Sequence, residues 1–251
     1  MMNMSVAALV ARIERNIMNL LEAMKERHAV RNFTDEPMTA EQIGVLSGII
    51  DELNATHGLS IQLIHDADDA FGGCPTHYGR FAGVHNLIAL IGPDDADAPD
   101  DLDEMIGYAG ELLALHAVAF GLDTSWVVLH EATEHEGLWT LEKGQRMPAA
   151  IALGHGARPG RAHRSKPAEE LGPVADAIGT YAGAPVWFHN GIEAVALAPS
   201  ALGKQPVRFT LLEDGCTVKA EALDGVQSRI CLGIAKLHFE LGAGTEHFTW
   251  A

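Results

Sequence analysis

The chain has 251 residues, 47% of them hydrophobic and 20% charged, which is enough apolar material to bury a full core and excludes disorder as the main state. Its 34 acidic and 17 basic side chains give a formal charge of −17, and this excludes an extended nucleic-acid face, because neutralising phosphates needs a basic surface. Any anionic ligand must instead be caught by a local cluster of arginines and backbone donors working against the overall field, so the few basic residues become informative.

The three cysteines, Cys74, Cys216 and Cys231, have no CxxC spacing and form no even-numbered framework, which fits a reducing cytoplasm. Met1 to Met24 carries an apolar stretch, but Arg12, Glu14, Arg15 and Glu22 interrupt it at helical intervals, so it reads as an amphipathic helix and not as a leader. No uninterrupted apolar run is long enough for a transmembrane helix, and no membrane partner is expected.

In chain order, Val6 to Glu26 reads as a helix with Val10, Ile13, Ile17, Leu20, Leu21 and Met24 on one face. Arg27 to Phe33 follows directly. Thr39, with Glu41 and Gln42 behind it, has the pattern of a helix start, and predicts a helix from Ala40 to about Leu53. Leu59 to Ile64 alternates like a half-buried strand, and Leu87 to Ile91 reads as a fully buried one. Pro93 to Asp103 is expected to be an acidic surface loop. Met105 to Phe120 is apolar nearly all round and predicts a buried helix; Ser125 to Leu129 and Ala149 to Leu153 read as strands. Arg158 to Lys166 is a polar, basic stretch suited to a connector.

The remainder repeats the first part in shorter form. A helix from Pro185 to Ala198, a turn from Pro199 to Pro206 and a strand from Val207 to Leu212 mirror Thr39–Leu53, Asn54–Gly58 and Leu59–Ile64. Gly233 to Gly242 echoes Gly107 to His116. Helix-turn-strand units are common in themselves; the shared order of three elements is what favours duplication. The expected division is a first lobe over 1–157, a connector over 158–184 and a shorter second lobe over 185–251.

Five segments resemble the nitroreductase family, and in particular its thermophile-type branch with two fused lobes. Arg27-His28-Ala29-Val30-Arg31-Asn32-Phe33 is similar to the family's opening signature, and Gly121-Leu122-Asp123-Thr124-Ser125-Trp126 to the segment after its long central helix. Ala198-Pro199-Ser200-Ala201-Leu202-Gly203-Lys204-Gln205-Pro206 resembles its Pro-Ser turn. Tyr78 to Val84 and Gly233 to Gly242 resemble the branch itself. The resemblance implies an α+β, nitroreductase-like fold forming an intrachain pseudo-dimer, and an FMN-dependent enzyme that takes hydride from NADH or NADPH and passes it to a small-molecule electron acceptor such as a nitroaromatic or a quinone.

In that family each flavin site is built from both subunits, so Arg27 and Arg31 from one lobe and the Pro199 turn from the other imply one complete site within a monomer. The reciprocal turn, Asp51 to His57, lacks Pro-Ser and adds two carboxylates, which implies one FMN per chain. By the same resemblance Arg27 is the phosphate ligand, with His28 and Ala29 beside it, because a guanidinium presents paired donors to phosphate oxygens. Arg164 and Lys166 would complete that cradle. Arg31 would lie near the ring's N1 and C2 carbonyl, where a cation stabilises the reduced flavin. Pro199, Ser200 and Ala201 would run along the ring, with Gln205 at its polar edge and Trp126 in the core. No side chain need act as a nucleophile, because the chemistry belongs to the flavin.

Two departures stand out: Ala29 occupies the family's usual Ser position, and Gly203 its usual Asn. They favour, as the alternative, a non-catalytic flavin-binding or flavin-storing protein. His130-Glu131-Ala132-Thr133-Glu134-His135 spaces its histidines five apart, one too many to share a helical face, so no metal is expected there.

Overall fold

The computed structural model describes residues 20–77, 79–94, 99–130, 138–162 and 164–251. Residues 20–26 are helical; the rest of the helix expected from Val6 lies outside the described residues. Helix α1 spans Ala40–His57 and opens with a capping box, in which the Gln42 N–H donates to Thr39 Oγ1 and the Thr39 N–H donates to Gln42 Oε1. It continues one turn beyond the expected Leu53. Gly58, at φ +65°, ends it by donating its N–H to Asn54 O, while the Asn54 side chain clasps both backbone groups of Ile61 and steers the chain into β1 (Gln62–Ile64).

Strand β2 spans Asn86–Pro93, and helix α2, Pro99–Ala119, starts inside the segment expected to be a loop. Proline suits a first helical turn, and the neighbouring Asp101 and Asp103 sit at the positive end of the helix dipole, so the acidic run begins the helix where a surface loop was expected. Strands β3 (Asp123–Val127) and β4 (Gln145–Gly154) complete an antiparallel sheet of order β1-β2-β4-β3. Beyond it come a single turn α3 (Ala168–Leu171), helix α4 (Val186–Leu197), strands β5 (Val207–Leu211) and β6 (Thr217–Ala222), helix α5 (Ser228–Ala243) and strand β7 (Thr249–Trp250). The last three strands form a second sheet in which β5 pairs antiparallel and β7 parallel with β6. The fold is α+β, as expected.

Strand β2 is apolar from Leu87 to Ile91 because both its faces are covered. Ile88 and Leu90 join a core with Leu46, Ile106 and Leu113 of the helices, whereas Leu87, Ala89 and Ile91 pack with Phe33, Phe71 and Val84 on the other side. The first of these cores runs without a break into the C-terminal helices and sheet through Ile230, Phe188 and Phe239. There the short sheet is reinforced by rings: Phe209 stacks on Phe239 at 5.1 Å, and Phe248 meets Trp250 edge-on at 4.8 Å.

Helices α2 and α5 cross in backbone contact. A Cβ added to Gly107 would lie 2.1 Å from Ile230 O, and one added to Gly233 would lie 1.9 Å from Glu104 O. The two contacts are reciprocal, since each glycine faces the residue three places before the other. Gly107 and Gly233 also precede β3 and β7 by the same interval, and β7 runs parallel to β6 as β3 does to β2.

Replacing either of these glycines by alanine forces the helices apart, and Gly107→Ala and Gly233→Ala are each expected to lower stability by about 1–3 kcal/mol. Gly48→Ala is the control: with nothing within 4 Å of the new methyl, only helix propensity changes, and stability should rise by roughly 0.5–1 kcal/mol. Calorimetric melting of the three variants checks both signs, and a neutral Gly107→Ala would remove the close crossing from the account.

Candidate functional site

The segment from Arg27 to Phe33 is laid onto the edge of the first sheet. Ala29 bridges Thr124 of β3, the Val30 N–H donates to Thr124 O at 3.0 Å, and the Phe33 N–H donates to Ala82 O at 3.0 Å. In this segment Val30 and Phe33 are buried, whereas Arg31 and Asn32 are exposed. Arg31 is held flat: its guanidinium lies 5.8 Å from the Phe81 ring centre, and Gly79, at φ +79°, passes so close that a Cβ would meet Arg31 Nε at 2.7 Å.

Facing this segment is the turn after α4. The Gln205 N–H donates to Ser200 Oγ at 2.9 Å, Gln205 Nε2 donates to Ala196 O at 3.2 Å, and the Ala201 N–H donates to Cys231 Sγ at 3.3 Å. These bonds hold Leu202 and Gln205 at φ 54° and 44°, left-handed values that cost a branched or long side chain on the order of 1–3 kcal/mol each. The strain keeps Pro199 and Ser200 at the rim of a cleft whose other wall is Arg27, Ala29 and Arg31.

The cleft has two compartments that share those five residues. One, of about 460 Å³, is cationic, adding Arg80, Arg158 and Arg161 to Arg27 and Arg31. The other, of about 120 Å³, is apolar, with Trp126, Val128, Ala201, Ile230 and Ile234 among its walls. Burial pushes the Cys231 thiol pKa up in this second compartment, partly opposed by its hydrogen bonds, so it stays protonated at neutral pH.

Behind the arginines lies a buried carboxylate. Glu111, in the middle of α2, is fully buried; it accepts from Trp126 Nε1 at 2.8 Å, pairs with His238 Nε2 of α5 at 3.0 Å, and has Arg27 Nε at 3.4 Å. His238 Nδ1 in turn faces Ala194 O of α4 at 3.0 Å. Burial opposes ionisation of Glu111, but the His238 hydrogen bond, the Arg27 charge and the Trp126 N–H together hold its carboxyl below the usual carboxylate range. Arg27 is itself 4% exposed and its Nε makes no hydrogen bond, so Glu111 holds it by charge and leaves the guanidinium end beside the cleft.

Residues 19–243 match the family model described as "Putative TM nitroreductase". The chain belongs to this nitroreductase family. Among solved structures, a Thermotoga maritima protein described as "a putative nitroreductase" superposes with a TM-score of 0.59 at 19% identity, covering 89% of this chain and 83% of that one, a likeness of fold. A Desulfovibrio desulfuricans protein described in the same words and solved in complex with FMN matches at 24% identity and a TM-score of 0.45, over 60% of this chain and 93% of that one. No curated protein matches the chain.

In this member of the family the structure brings together Arg27, His28, Ala29, Arg31, Pro199 and Ser200 in the cationic compartment, and Ala201 lines the apolar one. Gln205 lines neither. It is 2% exposed and spends its amide on Ala196 O and on the Lys166 N–H, which makes it a brace of the turn. Arg164 and Lys166 are likewise absent from both walls, and the Lys166 ammonium pairs with Glu170 at 2.9 Å. The connector's arginines at the cleft are Arg158 and Arg161, nearer to the end of β4. Trp126, expected in the core, packs on Gly110 and also forms one wall of the apolar compartment. Sequence reasoning passed over Glu111, whose signal was present: a single carboxylate in the middle of a helix that is apolar on every side must find partners inside.

Glu111→Gln leaves Arg27 and His238 facing an amide, and is expected to destabilise the protein by about 3–5 kcal/mol near neutral pH. The folded carboxyl holds its proton less tightly than the unfolded one, so this stabilisation is present above the unfolded value of about 4.3 and is lost as pH falls below it. The gap between wild type and variant should therefore narrow as melting is followed downward from that pH; a gap of constant size would mean that the charge is not what Glu111 contributes.

Proposed function

We propose that the cleft holds one FMN and that the protein is an NAD(P)H-dependent oxidoreductase acting on a nitroaromatic, a quinone or a similar small acceptor. The observation that carries this reading is the meeting of Arg27 and Arg31 from one end of the sequence with Pro199 and Ser200 from the other, across a cleft with one cationic and one apolar part. Those two parts suit the two ends of the cofactor. A phosphate dianion fits a cluster of guanidiniums, and a flat tricyclic ring fits apolar walls. The cofactor is also named for the D. desulfuricans protein, which supports the choice.

Within this reading Arg27, tethered by Glu111, and the nearby Arg158 and Arg161 bind the phosphate. Arg31, fixed by Phe81 and Gly79, stands at the ring's carbonyl edge, where its charge favours the reduced form. Pro199, Ser200 and Ala201 lie along the ring and exclude water from one side. Bound FMN supplies hydride acceptance and donation, and the chain positions the two partners in turn.

The reciprocal contacts of Gly107 and Gly233, with the matched spacing and direction of β3 and β7, support the view that the lobes are related by an internal twofold. One site per chain is then the consequence of what stands at the first lobe's counterpart of the turn. Asp51 to His57 are the last turns of α1, so no strained Pro-Ser turn faces that side.

Protein purified without added flavin should show a flavin absorption spectrum, and titration should end at one FMN per chain. Arg27→Ala, which removes a charged phosphate contact worth about 1.5–3 kcal/mol, should weaken FMN roughly tenfold to a hundredfold. Two FMN per chain would sink the asymmetric site. Bound flavin with no NAD(P)H-driven turnover of any acceptor would leave the flavin-storing alternative standing.

A further inference from the structure

The cationic compartment holds more positive charge than a flavin phosphate uses. Once Arg27 is set against Glu111, four guanidiniums remain, Arg31, Arg80, Arg158 and Arg161, all exposed and none paired with a carboxylate among the described residues. They stand in two pairs. Gly160, between Arg158 and Arg161, lies so close to the chain that a Cβ on it would be 2.4 Å from His28 Cβ, which puts that pair beside Arg27. On the other side Ala82 donates its N–H to Arg31 O at 2.9 Å and Gly79 abuts Arg31 Nε, which puts Arg80 beside Arg31.

A phosphomonoester carries about two negative charges, and Arg158 and Arg161 match them. Arg31 is then taken by the ring edge. Arg80 has no assigned partner on this account and no ion pair with any described residue. In a chain of net charge −17, a concentrated cationic cleft reverses the local field and draws anions to this one place.

We propose that Arg80, supported by Arg31, receives an acidic group, carboxylate or phosphate, on the second ligand that meets the flavin, and so sets the specificity of the site for anionic partners. The inference rests on the flavin reading and adds to it the chemical class of that second ligand. The acidic group has two sources, the acceptor itself or the extra phosphate that distinguishes NADPH from NADH, and one variant separates them from each other and from no effect.

The test uses FMN-loaded protein and Arg80→Gln, with para-nitrobenzoate against its neutral analogue para-nitrobenzamide, and NADPH against NADH. Binding of the two nitro compounds without any electron donor is read from the perturbation of the flavin spectrum, and KM from turnover. A charge-assisted contact at Arg80 should make the benzoate bind on the order of tenfold more tightly than the benzamide at low salt. The difference should shrink as salt is added and vanish in Arg80→Gln, while FMN content stays at the wild-type level. The same pattern for NADPH over NADH, in place of the benzoate preference, assigns the acidic group to the donor. Equal binding in both comparisons, or a preference that survives in Arg80→Gln, overturns the proposal and leaves the flavin site intact. Protein that takes up no FMN overturns the flavin reading and this inference with it.

Discussion

Helices α2 and α5 can touch through their backbones only because glycine stands at both crossing points, with Ile230 O opposite Gly107 and Glu104 O opposite Gly233. Any side chain there would separate the axes, and the separation would be felt one turn further along. There Glu111 of α2 reaches His238 of α5, and His238 reaches Ala194 of α4. A carboxylate removed from water survives only when its lone pairs are met, and three of the groups that meet Glu111 come from different elements: Trp126 from β3, His238 from α5 and Arg27 from the segment before the first sheet. The crossing, the buried charge and the position of Arg27 are therefore one constraint. A shift of the helices would unmake the ion pair, and the arginine would lose its anchor at the cleft.

This arrangement also explains how a strongly acidic protein keeps a cationic cleft. Arg27 is neutralised from behind, inside the protein, so its charge is stabilised without a carboxylate being brought to the front. The remaining guanidiniums are kept apart from acidic side chains by their backbone setting, two on the segment after β4 and two beside the Gly79 turn. Elsewhere the basic residues near carboxylates are used up in pairs, as Lys166 is with Glu170, Arg146 with Asp103 and Lys236 with Glu104. Apart from Arg27, the cleft is thus a place where cations are not paired with described carboxylates, and its field opposes that of the whole molecule.

The α+β class, the buried β2 and the buried α2 were legible in the sequence because apolar runs and caps act locally; Thr39 and Gln42 announced the start of α1 through bonds that span three residues. The ends were less legible. Gly58 outweighs Asn54 as a helix terminator because the Asn54 side chain is engaged by Ile61, a contact that no spacing rule reveals. Arg27 and Pro199 could be placed in one site only through likeness to a family, since nothing local links them. The same limit hid the difference between Arg161 and Arg164: both lie on a basic stretch, and only the fold of the connector over His28 decides which of them faces the cleft. Gln205 reads as a polar group available to a ligand until the strained turn shows its amide already committed to two backbone groups.

The C-terminal sheet has three described strands, and β7 pairs directly with β6. A three-stranded sheet buries little by itself, and the ring cluster of Phe188, Phe209, Phe239, Phe248 and Trp250 adds the apolar area that it lacks. So small a sheet suffices because the tasks of this part are narrow. It must present α5 to α2, with Gly233 and His238 at the right heights, and it must hold the turn from Pro199 to Gln205 under strain. Both tasks fall to α4, α5 and the turn between α4 and β5, and neither requires a full sheet. The two ends of the chain therefore contribute unequally to the cleft: the N-terminal part supplies the arginines and the large sheet, and the C-terminal part supplies the helices and the turn that face them.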